Sequence, residues 1–298
     1  MMNWLKIIAT LTMLSFFSNA NAQGYCNDEG VAVEDADGVI TFTGDESSIG
    51  DCAFAPDEYT IKIYKMALCT AAPTRPTPSD TYDVSSCVDV IDSPDGQLVN
   101  LAAGSEMTLS DVTRPANGSY SYGYMIMANT FDIKAKKQFT NIMHTFDSGT
   151  SGNYCWTKDA IAYSSQSDNV GWTNPSPLVE CGGSGGTAGI YGEILDHFDV
   201  GEYTVEAVPV TGGTLSADLI TDANGLVVTT TETADRLFGV QTFTTPVVIA
   251  PSSTVFTVSF GVNQASSLWY YEDLDLGANQ YQVYAIGSGP FSTSMTAN

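Results

Sequence analysis

The chain has 298 residues, with 34 acidic side chains against ten Lys and Arg and a formal net charge of −24. Such a field repels phosphate backbones and anionic lipid surfaces, which excludes nucleic acid and an anionic membrane face as natural partners. Hydrophobic residues make up 43% of the chain, too many for a disordered polymer and enough to build a packed core.

Residues 1–22 read as a secretory signal peptide of bacterial type. Lys6 is the lone cation, an apolar run passes through Leu11, Leu14, Phe16 and Phe17, and the segment closes on the small-x-small pattern Ala20-Asn21-Ala22. On this reading the mature chain starts at Gln23 and is secreted or held at the cell surface. With Lys6 removed, nine basic residues face 34 acids, a balance of −25. Extracellular salt screens that self-repulsion beyond about 8–10 Å. No later apolar stretch is long enough to span a membrane as a helix.

Six cysteines follow: Cys26, Cys52, Cys69, Cys87, Cys155 and Cys181. An even count in an exported chain points to disulfides, and no C-x-x-C spacing suggests a zinc ribbon or a redox site. Six cysteines allow 15 connectivities. Sequential pairing, Cys26–Cys52, Cys69–Cys87 and Cys155–Cys181, closes the shortest polar loops and is the expected arrangement.

Short runs of β-branched and aromatic residues, separated by Gly, Pro, Asn, Asp and Ser, dominate the rest. Strands are expected at Val39–Thr43, Tyr59–Leu68, Gln97–Leu101, Ser119–Asn129, Tyr203–Val210, Leu226–Thr231, Gln241–Ile249, Thr254–Val262 and Tyr281–Ile286. Asp37-Gly38, Asp95-Gly96 and Asn224-Gly225 carry hairpin-turn chemistry. Ala72-Pro73-Thr74-Arg75-Pro76-Thr77-Pro78 reads as a stiff loop bracketed by the Cys69–Cys87 bridge. Helical spacing is confined to Phe139, Ile142, Met143 and Phe146, which predicts one short helix, and to a second over Gln264–Leu276.

The glycine-rich run after Cys181, residues 183–189, reads as a flexible linker. It divides a disulfide-containing domain, 23–182, from an acidic cysteine-free domain, 190–298. The fold class expected is therefore all-β: two β-sandwich domains of immunoglobulin- or pilin-like type, stapled in the N-terminal half.

Chemistry-bearing motifs are few. His144 and His197 are the only histidines, and Asp196-His197-Phe198-Asp199 offers a metal corner at most. Gly182-Gly183-Ser184-Gly185-Gly186 matches G-x-S-x-G but lacks the strand and helix of a nucleophile elbow. Asp35 and Asp37, and separately Asp273 and Asp275, are paired carboxylates of the kind that bind calcium, the one metal this composition suits; the EF-hand spacing is absent, and no other cofactor is expected. Trp269, Tyr270 and Tyr271 precede Glu272-Asp273-Leu274-Asp275, an aromatic platform beside acids that suits a glycan.

These features predict an exported structural protein and not an enzyme: a subunit of a cell-surface assembly such as a filament, pilus-like fibre or surface layer. It would polymerise with itself through β-strand edges or by exchange of a terminal strand, donated from the tail at Gln23 or from Ser292–Asn298. Lys134, Lys136 and Lys137 form the one compact basic cluster and could meet the acidic surface of a neighbouring copy. The alternative is a secreted carbohydrate-binding or polysaccharide-active module working through Trp269–Asp275.

Overall fold

The computed structural model describes residues 32, 34–42, 50–102, 113–146, 149–164, 178–184, 186–198, 201–210, 212–221, 224–253, 256–277, 280–289 and 291–297. The expected signal peptide, Gln23 and Cys26 lie outside them. In chain order the strands are β1 (Val39–Ile40), β2 (Gly50–Phe54), β3 (Glu58–Cys69), β4 (Cys87–Ala102), β5 (Gly118–Ala128) and β6 (Thr130–Lys134). There follow β7 (Lys136–Thr145), β8 (Ser151–Thr157), β9 (Ala160–Tyr163), β10 (Val179–Gly182), β11 (Tyr191–Ile194) and β12 (Thr204–Val210). The last six are β13 (Gly213–Ile220), β14 (Arg236–Ile249), β15 (Phe256–Gly261), β16 (Ser266–Glu272), β17 (Gln280–Ser288) and β18 (Ser292–Ala297). Among the described elements, the single helical turn is Thr231–Thr233. The protein is nearly all β, as its residue alternation predicts.

One sheet has seven strands in the order β10-β8-β7-β17-β16-β2, with β1 alongside β7. The other has nine, β12-β13-β14-β5-β3-β6-β11-β9, with β4 alongside β3. β15 and β18 form a separate pair. Most pairings are antiparallel; β1–β7, β17–β7 and β11–β9 are parallel.

Strand β3 shows how the sequence makes the layers. Tyr59, Ile61 and Ile63 are buried, while Thr60, Lys62 and Tyr64 alternate with them on the other face. From Met66 to Cys69 every residue is buried, because the disulfide-closed segment 70–86 covers the outer face there. A small second core forms beneath it from Ala67, Cys69, Tyr124, Ile126, Ile220, Phe238 and Val240. Tyr82 of the covering segment stacks on Phe238 at 4.9 Å. The main core draws on both sheets, from Tyr59, Ile61 and Phe131 on one to Phe139, Tyr270 and Tyr281 on the other.

Two expected helices are strands. Residues 139–145 fall in β7, with Phe146 directly after it; Phe139, Met143 and Thr145 face the core and Ile142 is exposed. The helical spacing there is a coincidence of two strand faces, and hydrogen bonds to β8 and β17 on either side decide the matter. Residues 266–272 of the second candidate are β16, paired with β17 and β2. Leu226–Thr231 contributes only an isolated bridge, Val227 to Ile220. Asp95-Gly96 is not a hairpin turn: it lies within β4, where the ladder to β3 skips from Asp92 to Gln97. Gly96 takes φ 75° there, and a Cβ on it would stand 2.7 Å from Lys62 Cε. The turns at Asp37-Gly38 and Asn224-Gly225 do carry hairpin-like reversals.

Hydrogen-bonded pairing does not respect the boundary expected at 183–189. β14 pairs with β5, and β17 with β7, so both sheets mix strands from either side of the glycine run. The run itself is pinned: Lys136 Nζ donates to the carbonyls of Ser184 and Gly186. Gly186 lies so close to Trp156 that a Cβ would fall 2.3 Å from the indole. Glycine is required there for close approach.

Disulfides join Cys69 to Cys87 and Cys155 to Cys181, each pair directly opposite across neighbouring strands. Cys52 is buried and disulfide-bonded as well.

Candidate functional site

Sheet edges are the first place to look in a protein expected to assemble, since each presents unpaired backbone groups. Most edges here are blunted. β12 carries Glu206, Pro209 and a register break, with Ala207 at φ 51°. β4 carries Asp89, Asp92, Pro94 and Asp95 beside its own break. β10 contains Glu180, and the sequence of β2 includes Asp51.

The edge strand β9 is different. Its sequence is Ala160-Ile161-Ala162-Tyr163, with no charge, no proline and an unbroken register to β11. Among the described residues it has that one neighbour. Ala162 turns inward, while Ile161 is 73% exposed and Tyr163 41%. The register places Ile161 opposite Gly192, on the same face as Ile190, which is 52% exposed. Gly192 leaves room for Ile161, whose Cγ1 would lie 3.2 Å from a Cβ at that position.

The aromatic platform expected at Trp269, Tyr270 and Tyr271 is divided by the pleat. Tyr270 faces the core, stacked on Phe42 at 4.1 Å, with its hydroxyl 3.2 Å from Cys52 Sγ. Trp269 and Tyr271 share the outer face of the seven-stranded sheet. There Tyr271 stacks on Tyr284 at 5.1 Å, and Tyr284 meets Phe146 at 4.7 Å. Tyr284 comes from β17 and Phe146 from the residue after β7, and local sequence gave no sign that they would join Tyr271. Burial, then the neighbouring Tyr271 phenol, pushes the Tyr284 hydroxyl well above its ordinary range, so it stays protonated.

The paired carboxylates mostly serve their own backbone. Asp35 Oδ1 accepts from the amides of Asp37 and Val39, fixing the turn before β1. Asp273 Oδ1 accepts from the Asp275 amide, and its Oδ2 accepts from Gln282 Nε2 at 2.8 Å and from the Tyr271 hydroxyl at 3.4 Å. Asp275 is exposed at the turn tip. Among the described residues no group of three or more His, Cys, Asp or Glu side chains gathers as a metal site.

The basic cluster is also engaged internally. Lys134 pairs with Glu58 at 2.8 Å and Lys137 with Glu34 at 2.9 Å, while Lys136 lies over Tyr154 and Trp156 and holds the glycine run.

Two polar constellations draw on long-range partners that local sequence did not indicate: Asp218 for Arg75, and Ser164 for the Asp196–His197 pair. Arg75, in the proline-rich segment, forks onto Asp218 at 2.6 and 2.8 Å and also reaches Glu206 and the carbonyls of Val205 and Ala217. It ties the covering segment to β12 and β13. His197 Nδ1 lies 2.8 Å from Asp196 Oδ1, and Ser164 Oγ stands 3.3 Å from that same oxygen while donating to the Ile194 carbonyl. The carboxylate sits between hydroxyl and imidazole, whereas a nucleophile relay needs the imidazole in the middle. Asp199 lies outside the described residues.

These features define a disulfide-stapled β protein with an apolar edge strand at one end of its nine-stranded sheet and an aromatic row on the outer face of its seven-stranded one. No protein-family model, curated protein or solved structure matches the chain. No helix among the described residues is long and apolar enough to cross a membrane.

Proposed function

We propose that this chain is an exported structural protein that self-associates at the cell surface through the edge of β9. The carrying observation is the contrast among the end strands of the two large sheets: β12, β10 and β2 contain acids, proline or a register break, whereas β9 presents Ile161 and Tyr163 to solvent beside the exposed Ile190. Unblunted edges pair with further strands, and a second copy supplies one. Four residues give few ladder bonds, so the apolar side chains carry much of the contact. Two sheets around one core, with staples across neighbouring strands, support a sandwich of the immunoglobulin or pilin kind. The C-terminal strand β18, expected as a donor, is folded onto β15 of its own chain, which favours edge contact over strand exchange. The acidic surface makes association depend on salt: screening must bring copies close enough for the edge to act.

Sedimentation of the mature chain at rising salt and concentration tests the reading. Association that strengthens with salt and disappears in Ile161→Lys supports it. A monomer at all concentrations, or assembly unaffected by the lysine, overturns it.

A further inference from the structure

The outer face of the seven-stranded sheet carries a second surface that does not depend on the β9 edge. Tyr271 and Tyr284 come from the paired strands β16 and β17, and Phe146 directly follows the adjacent β7; their rings form one continuous row at 4.7 and 5.1 Å. Trp269 stands on the same face of β16 as Tyr271. Beside this row runs a polar one: Gln282 Nε2 holds Asp273 Oδ2 at 2.8 Å, and the Tyr271 hydroxyl reaches the same oxygen. All six side chains are partly exposed.

We propose that this face binds a neutral polysaccharide chain. Stacked rings offer flat apolar surface to the C–H faces of sugar residues, while amide, carboxylate and phenol groups fixed alongside give directed hydrogen bonds to hydroxyls. Segments 142–146, 269–273 and 280–284 contain no Lys or Arg, and the partly exposed Asp273 lies beside the rings, so an anionic glycan meets a carboxylate there. A second copy of the chain fits less well, because a polar row crosses the patch where the core of a protein interface excludes charge. The aromatic row is anchored by main-chain pairing on both sides of β17, so it is preformed.

Native affinity electrophoresis of the mature chain tests this, with laminarin, xylan and galactomannan as neutral probes and alginate as the anionic one. At least one neutral polysaccharide slows migration and alginate does not. Tyr284→Ala and Trp269→Ala each weaken that retardation at least tenfold, while Tyr284→Phe preserves it. Because truncating Tyr284 also removes packing against Phe146, Gln282→Ala is measured in parallel. It leaves the rings in place and weakens binding several-fold with an unchanged melting temperature. Ile161→Lys leaves retardation untouched, which separates this surface from the assembly edge. The proposal fails if no neutral probe retards the chain, if alginate alone does, or if retardation survives both Tyr284→Ala and Gln282→Ala.

Discussion

Replacing Arg75 by Met keeps the aliphatic stem and removes the guanidinium from Asp218, whose side chain is only 1% exposed. The variant loses both arms of the fork and the bonds to two carbonyls, and it strands a carboxylate in the interior. Breaking a buried pair in this way costs about 3–5 kcal/mol. At roughly 2 °C per kcal/mol for a chain of this size, the melting temperature should fall by about 6–10 °C at pH 7. The exposed Glu206 partner adds little.

The pH dependence follows from Asp218 itself. Burial raises its pKa above the ordinary value, and the Arg75 hydrogen bond and charge oppose that rise. A carboxyl whose folded pKa exceeds its unfolded one favours the fold below the unfolded value, near about 4, and loses that contribution as pH climbs through the folded pKa. In Arg75→Met the opposing cation is gone and the folded pKa moves higher. The deficit relative to the parent is therefore largest at neutral pH and shrinks toward pH 4, as Asp218 takes up a proton. Thermal melts of parent, Arg75→Met and Arg75→Met/Asp218→Asn at both pH values read this directly, with the double variant regaining most of the loss at pH 7. A fall below about 2 °C, an equal deficit at both pH values, or no rescue by Asn refutes the reasoning.

Cys69→Ser/Cys87→Ser opens a loop of sequence separation 18 and should cost roughly 3 kcal/mol by loop entropy; limited proteolysis then cuts first within residues 70–86. Phe42→Ala empties a site packed by Phe139, Tyr270 and Tyr281, and chemical denaturation should show a loss of about 3–5 kcal/mol. Gly186→Ala drives a methyl into the Trp156 indole and should cost about 1–3 kcal/mol, with a change in tryptophan fluorescence; an unperturbed spectrum argues against that contact.

Local chemistry was legible where neighbours in sequence are neighbours in space. The strand at residues 119–129 shows in its tyrosine alternation, and the turn at Asp37-Gly38 in its dipeptide. Sequential cysteine pairing holds for the two bridges described, because each joins adjacent strands. What stayed hidden is long-range pairing. Nothing near Phe139 announces that β17, more than a hundred residues later, will lie parallel to β7, so a strand paired on both sides mimicked a helix. A glycine run looks the same whether it swings freely or lies flat against Trp156. The candidate surfaces divide in the same way: Trp269 and Tyr271 stood out in the sequence, but Tyr284, Phe146 and Gln282 reach them only through the sheet. Ile161 gained significance only when β9 fell at an edge.

Assembly through that edge is the step on which the proposed function stands. Negative-stain electron microscopy of the chain from Gln23 onward, parent beside Ile161→Lys, at physiological and high salt, tests it most directly. The parent forms ordered polymers that lengthen with salt, and the variant gives dispersed particles at an unchanged melting temperature. Dispersed particles from both, or identical polymers from both, would contradict it.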